Sequence, residues 1–179
     1  MDEIDDHKLA AMAKAGDARA FEALIERHYD SIFRMAFSWS RNRSDAEDIA
    51  QTVCVKLARA IQGFSGKSKF TTWLYRIVVN TAIDWRRQNK RSHHIELDEQ
   101  SIATEPQAET QLLAKEILAR IDLLPEKEKT ALLLAVVEEM SHADIAAIMG
   151  VKQSTVSWYV HEARKKLGIR NEKKERRHG

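Results

Sequence analysis

"SHADIAAIMGVKQSTVSWYVHEARKKL", residues 141–167, is the stretch on which the fold turns. Ser141 is a helix N-cap residue, and Asp144 at the fourth position makes an imperfect capping box. Ile145 and Ile148 follow at helical spacing, and Gly150 marks the stop. A second amphipathic pattern runs from about Ser154 to Leu167, with Val156, Val160, Ala163 and Leu167 on one stripe and Val151 in the turn. A short helix, a glycine-marked turn and a second helix have the proportions of a helix-turn-helix. Ser154, Trp158, His161, Glu162 and Lys165 then point away from the core, where a DNA-binding version would meet the major groove. Two packed helices with no DNA role remain the alternative.

Working back from that unit, Glu126 to Met140 reads as a helix behind Pro125, and Leu112 to Leu123 is amphipathic. Residues 112–179 therefore form a four-helix domain with a basic tail. Ser92 to Gln111 breaks the pattern. It is polar, contains Pro106, and carries Glu96, Asp98, Glu99, Glu105 and Glu109 with no lysine or arginine. It reads as a flexible acidic linker, residues 92–111, which leaves a first domain at 1–91.

In that first domain Asp17 caps a helix through about Trp39, with Phe21, Leu24, Ile25, Ile32, Met35 and Ala36 at core spacing. No element is assigned before Asp17. Ser44 and Glu47 have capping-box spacing and open a helix whose buried stripe is Ile49, Val53, Leu57 and Ile61. "QGFSGKSK" is a glycine-bearing loop. "KFTTWLYRIVVNTAIDWRRQNKR", residues 69–91, follows as a helix. At about 100° per residue, Phe70, Leu74, Ile77, Val78, Thr81 and Trp85 share its core face. Lys69, Trp73, Arg76, Asn80 and Arg87 fall within an arc of roughly 60° elsewhere. Cations neutralise phosphates, an amide pairs with base edges and an aromatic ring stacks on an unpaired base. Phe64 and Phe70, set among Lys67, Ser68, Lys69, Thr71 and Thr72, suit a pocket for an extruded base. A packed Trp73 with solvated cations is the plainer alternative.

The chain has only 6 glycines and 2 prolines in 179 residues, too few turn residues for a sandwich or barrel, so the expected class is all-α. Net charge is +2, yet positive charge gathers at Arg86–Arg91 and Arg164–Arg177. Two separate basic patches suit a polyanionic partner. The one cysteine, Cys54, falls on an apolar helical face and reads as a buried thiol. No intramolecular disulfide is possible, the N-terminus lacks an apolar signal core, and no run could span a bilayer. A cytoplasmic protein, itself not membrane-bound, is expected.

These stretches together resemble bacterial sigma factors of the sigma-70 family, in the small extracytoplasmic-function (ECF) group. "DAEDIAQTV" (45–53) is similar to the family's core-polymerase-binding helix. "FSGKSKFTTWLYRIVVNTAIDWRR" (64–87) resembles its promoter-melting and −10-reading segment. "LPEKEKTALLL" (124–134) and residues 141–167 resemble its −35-reading domain. The resemblance implies docking on the polymerase clamp helices through Asp45, Glu47, Asp48, Gln51, Thr52 and Lys56, with a further contact to the flap. It implies capture of an unstacked −10 base by Phe64, Lys67, Ser68, Lys69, Phe70, Thr72, Trp73, Arg76 and Asn80, with Arg86, Arg87, Lys90 and Arg91 along phosphates. It implies −35 contacts from Ser154, Thr155, Ser157, Trp158, Tyr159, His161, Glu162, Arg164 and Lys165. Here Ser154, Tyr159 and Glu162 depart from the family's usual glycine and arginines, so the −35 preference does not transfer. The implied linker path leads toward the polymerase active-site cleft. The implied partners are core RNA polymerase, promoter DNA and an anti-sigma factor, with no small-molecule substrate, cofactor or metal.

Two rival readings fit parts of the sequence. A conventional helix-turn-helix regulator of duplex operators explains the second domain but not the loop and stripe of the first. A metal-dependent nuclease would need converging ligands. Asp45, Glu47 and Asp48 instead sit in a helix's first turn, where acids favour the macrodipole, and His93 and His94 fall in the linker. No catalytic residue is expected.

Overall fold

The computed structural model describes residues 5–89 and 108–169. The described residues are helical apart from turns and loops, as expected of an all-α chain. They divide into two compact units. The first holds α1 (Asp6–Lys14), α2 (Ala18–Ser40), α3 (Arg43–Ala60), a 3-10 turn (Ile61–Gly63) and α4 (Phe70–Asn89). α5 (Ala108–Asp122), α6 (Glu126–Val136), α7 (His142–Met149) and α8 (Gln153–Lys166) follow, and α5, α6, α8 and α7 up to Ala146 lie in the second. Most of the expected acidic linker lies outside the described residues, but its last four positions, 108–111, belong to α5.

In the first unit α2 packs against α1, α3 and α4. Asp17 caps α2 as expected, its Oδ1 accepting from the amides of Arg19 and Ala20. Leu24, Ile32, Met35 and Ala36 are buried, while Phe21 and Ile25 are half-buried. Ile49, Val53, Leu57 and Ile61 are all buried, so the predicted α3 stripe is the observed one. Cys54 beside it is half-buried rather than enclosed.

Several boundaries differ from the sequence expectation. α1 precedes the first helix expected from the sequence; Asp5 caps it by accepting from the Lys8 amide. α3 begins at Arg43, not Ser44. Arg41 takes the left-handed conformation (φ 57°) that ends α2, and Asn42 immediately accepts from the Asp45 amide at 3.1 Å. The chain thus reverses within two residues, and Ser44 lies inside the helix. Glu47 pairs with Arg43 at 3.0 Å instead of closing a capping box. α6 stops at Val136, short of Met140, because Glu139 adopts φ 50° and the Met140 amide folds back to the Leu134 carbonyl at 3.1 Å.

In the second unit α6 packs on α8. Leu124, Leu132, Ala163 and Leu167 form one buried cluster, with Ile121 against it. Ile145, Ile148, Val156 and Val160 are buried as the helix-turn-helix reading requires, and Val151 is half-buried. Ser141 caps α7: its Oγ accepts from the Asp144 amide at 3.1 Å and donates to the Asp144 carboxylate at 2.7 Å. Gly150 takes φ 67°, which suits glycine, and ends the helix. α8 then starts at Gln153, one residue before the expected Ser154, with Lys152 as a cap that makes no side-chain bond. Ion pairs between its helices brace this unit. Lys129, wholly buried, donates to Asp122 at 2.6 Å, and Lys166 donates to both oxygens of the buried Glu128 at 2.7 and 2.8 Å. A lysine so enclosed requires its carboxylate, because an uncompensated buried charge is costly.

Candidate nucleic-acid and polymerase interfaces

The loop between the 3-10 turn and α4 is built on an aromatic triangle. The ring centroids of Phe64, Phe70 and Trp73 lie 5.3–5.7 Å apart. His7 of α1 packs on Phe64 at 5.6 Å, and His28 of α2 packs on Phe70 at 5.5 Å. Such tilted and edge-on pairs are the favoured geometries for aromatic rings. Phe64, Phe70 and Thr72 are each about 4% exposed and form the floor of the loop. Ser65, Gly66, Lys67 and Lys69 are exposed above that floor, Ser68 is half-exposed, and Gly66 turns the chain at φ 71°. Trp73 is half-buried at the edge of the triangle, the one ring of the three with a partly open face.

Along α4, Arg76, Asn80 and Arg87 are exposed on the strip that begins at Lys69. The buried face comprises Phe70, Leu74, Tyr75, Val78, Val79, Thr81 and Ala82, with Thr72. Ile77 and Trp85, expected in the core, are half-buried. α4 packs against both α2 and α3, and Val78 and Val79 are among its buried residues. Arg86 does not join Arg87 on the surface strip. Its guanidinium sits 5.7 Å over the buried Trp39 ring, a cation–π arrangement that fastens α4 to α2. Lys90 and Arg91 lie outside the described residues.

On α3, Asp48, Gln51 and Thr52 are exposed, while Asp45, Glu47 and Lys56 are half-exposed. Thr52 Oγ1 donates to the Asp48 carbonyl at 2.9 Å, and Lys56 lies 3.8 Å from Asp84 of α4. Val55, 50% exposed, continues this face at i+4 from Gln51. Sequence reasoning missed it because a valine within a helical pattern reads as core.

On α8, Ser154, Ser157, Trp158, His161 and Lys165 are exposed, at the i, i+3, i+4, i+7 and i+11 positions of one helical face. Trp158 is 55% exposed and its ring meets Tyr159 at 5.4 Å. His142 Nδ1 lies 2.9 Å from Ser157 Oγ, linking the start of α7 to this face. Thr155, Tyr159, Glu162 and Arg164 are half-buried to its sides. Among the described residues no three His, Cys, Asp or Glu side chains converge as a metal site, and no helix is long and apolar enough to cross a membrane.

The profile of Sigma-70 region 2 matches residues 24–92, and that of Sigma-70, region 4 matches residues 114–167. The ECF RNA polymerase sigma-E factor of Haemophilus influenzae is 30% identical over 93% of this chain and 95% of its own length. The ECF RNA polymerase sigma factor SigE of Mycolicibacterium smegmatis is 30% identical over 88% of this chain, and the match spans 65% of that longer protein. The structure of CnrH in complex with the cytosolic domain of CnrY superposes with a TM-score of 0.70 at 25% identity, covering 91% of this chain and 94% of that one. With both regions matched in order and a relative of this identity aligned nearly end to end, the chain belongs to the sigma-70 family, in its extracytoplasmic-function group of RNA polymerase sigma factors.

Proposed function

We propose how this sigma factor, which directs core RNA polymerase to promoters, divides that task between its two domains. The first domain, assigned to residues 1–91, docks on polymerase and opens the −10 element. The second, residues 112–179, reads the −35 element. The acidic segment 92–111 joins them and runs toward the active-site cleft.

The exposed face of α3 meets the clamp helices of polymerase. Asp48, Gln51 and Thr52 supply polar contacts, and Val55 supplies an apolar one that excludes water. Asp45, Glu47 and Lys56 border it. The loop 64–69 with Trp73, Arg76 and Asn80 captures an unstacked non-template base. Unstacking costs a few kcal/mol, so a prepared pocket offsets melting without nucleotide hydrolysis. Arg87 follows the phosphates. On α8, Ser154, Ser157, Trp158, His161 and Lys165 enter the major groove, and Thr155 and Arg164 reach its phosphate walls.

The observation that carries this reading is the single strip of Lys69, Arg76, Asn80 and Arg87, exposed on α4 directly beyond a loop seated on three rings. A conventional operator-binding regulator has no use for that strip, and the Sigma-70 region 2 match over 24–92 leaves that alternative unfavoured. The protein acts in the cytoplasm, where its polymerase is, and works without a catalytic residue of its own. An anti-sigma factor that covers the polymerase- and DNA-binding faces holds it inactive. The complex of the similar CnrH with part of another protein supports such a partner. Recovery of the chain from uninduced cells with no inhibitory partner would count against that regulation.

The test of the function is reconstituted transcription. The purified chain is mixed with sigma-free core polymerase and fragmented genomic DNA, and RNA 5′ ends are mapped. Discrete starts that share a two-part upstream motif are expected. Duplex binding without starts would overturn the reading.

A further inference from the structure

We infer that Lys14, at the end of α1, is a positioning residue for promoter opening: it clasps the loop that receives the −10 base. The inference rests on the reading of that loop given above. Lys14 Nζ donates to the Phe64 carbonyl at 2.7 Å, across fifty positions of sequence. Gln62 Nε2 donates in return to the Lys14 carbonyl at 3.0 Å. The two bonds bracket Gly63 and hold the entrance of the loop against the last turn of α1. Bonds that involve a charged donor are shorter and stronger than neutral ones, and this one is partly shielded from water.

The rest of α1 is itself anchored. Asp6 accepts from Arg27 at 2.6 Å and lies 2.9 Å from His28 Nε2, both on α2, while His7 packs on Phe64. His28 in turn packs on Phe70, the residue that ends the loop. α1 and α2 therefore grip both ends of the loop, Phe64 at its start and Phe70 at its finish. Between those ends Ser65, Gly66, Lys67 and Lys69 face solvent. A loop held at both ends loses less conformational freedom when it closes on a base, and that saving appears as promoter opening rather than as fold stability. Lys14 itself touches no DNA in this account.

The test compares the wild-type chain with Lys14→Met and Lys14→Arg in holoenzyme assembled with core polymerase. The promoter is one obtained by the transcript mapping above, used as intact duplex and with its −10 element pre-melted as a mismatched bubble. Lys14→Met keeps the apolar stem and removes the donor. It is expected to lower open-complex yield on duplex about tenfold, the effect of losing one charge-assisted hydrogen bond. Yield on the bubble at saturating holoenzyme, and affinity for core polymerase, should stay within about twofold on that same footing, because pre-melted DNA is already open and base capture no longer limits the yield. Lys14→Arg should restore most of the duplex yield. Hydrogen exchange on the chain alone should show the amides of 65–69 exchanging faster in Lys14→Met, and this readout is independent of promoter chemistry. Unchanged exchange and unchanged duplex yield would overturn the clasp. Equal losses on duplex and bubble, or a parallel loss of polymerase affinity, would reduce Lys14 to a general stabilising residue and also overturn it. Faster exchange in Lys14→Met, together with a wild-type chain that opens no promoter, would uphold the clasp as geometry and overturn the loop's promoter-opening role.

Discussion

Asn80 stands exposed in mid-helix, where a side-chain amide adds nothing to α4. Alanine is the better helix former by a few tenths of a kcal/mol, so Asn80→Ala should leave the fold intact or slightly firmer. A base-edge contact is worth about 1–3 kcal/mol. Asn80→Ala is therefore expected to lower open-complex yield about tenfold or more, with relaxed −10 discrimination, measured by permanganate reactivity of unpaired thymines. An unchanged yield would remove Asn80 from the site. Cys54 makes a second residue-level prediction. Burial pushes its thiol above the usual value, only partly offset by a backbone hydrogen bond. Between pH 7 and 8 less of it is thiolate than in an open peptide, so alkylation by iodoacetamide should be slower than that of a free cysteine. The rate should keep climbing with pH beyond the point where a free cysteine levels off. A rate equal to free cysteine's at pH 7.5 would show the site to be open.

At the scale of elements, the boundary between α2 and α3 shows where local pattern fails. Ser44 and Glu47 satisfy the spacing of a capping box, yet Asn42 is the cap. The left-handed Arg41 turns the chain early, and Ser40 Oγ secures the bend by donating to the Asn42 carbonyl at 3.0 Å. Loss of an N-cap costs about 1 kcal/mol. Asn42→Ala should lower the melting temperature of the first domain by about 4–8 °C, the shift that such a loss gives in a domain of this size. Ser44→Ala should hardly move it. A larger loss from Ser44→Ala, followed by circular dichroism, would restore the capping box. α7 and α8 make the opposite case. Ser141, Gly150 and the apolar stripe were legible because each acts through its own helix; Ser141 and Gly150 are the observed caps of α7, whereas α8 starts from Lys152 and not from Ser154.

For the whole molecule, the proposed function puts polymerase docking and promoter opening on different helices of one domain. Asp48→Lys reverses a charge on the exposed face of α3 and touches no residue of the loop or of the α4 strip. It should weaken affinity for core polymerase at least tenfold, since like charge across an interface costs on the order of several kcal/mol. At saturating polymerase it should leave opening per bound complex unchanged. Asn80→Ala should do the reverse. Fluorescence titration of core polymerase, followed by promoter opening with the same variants, separates the two. Matching losses in both assays for both variants would mean that the two faces act as one.

The sequence by itself determined the helical class, the two domains, the core stripes of α3 and of the helix-turn-helix, and the strip of Lys69, Arg76, Asn80 and Arg87. Those features follow from a 3.6-residue period and from caps that bond within a few positions, so they can be read along the chain. Tertiary structure alone decided which aromatic rings are floor and which is edge. It sent Arg86 to Trp39 while Arg87 stayed at the surface, and it left Val55 exposed within an apolar pattern. It also recruited α1 and Lys14 to the loop fifty positions away. Helical period says that a residue faces inward or outward, but not which distant element covers that face, and burial is the property of the covered surface.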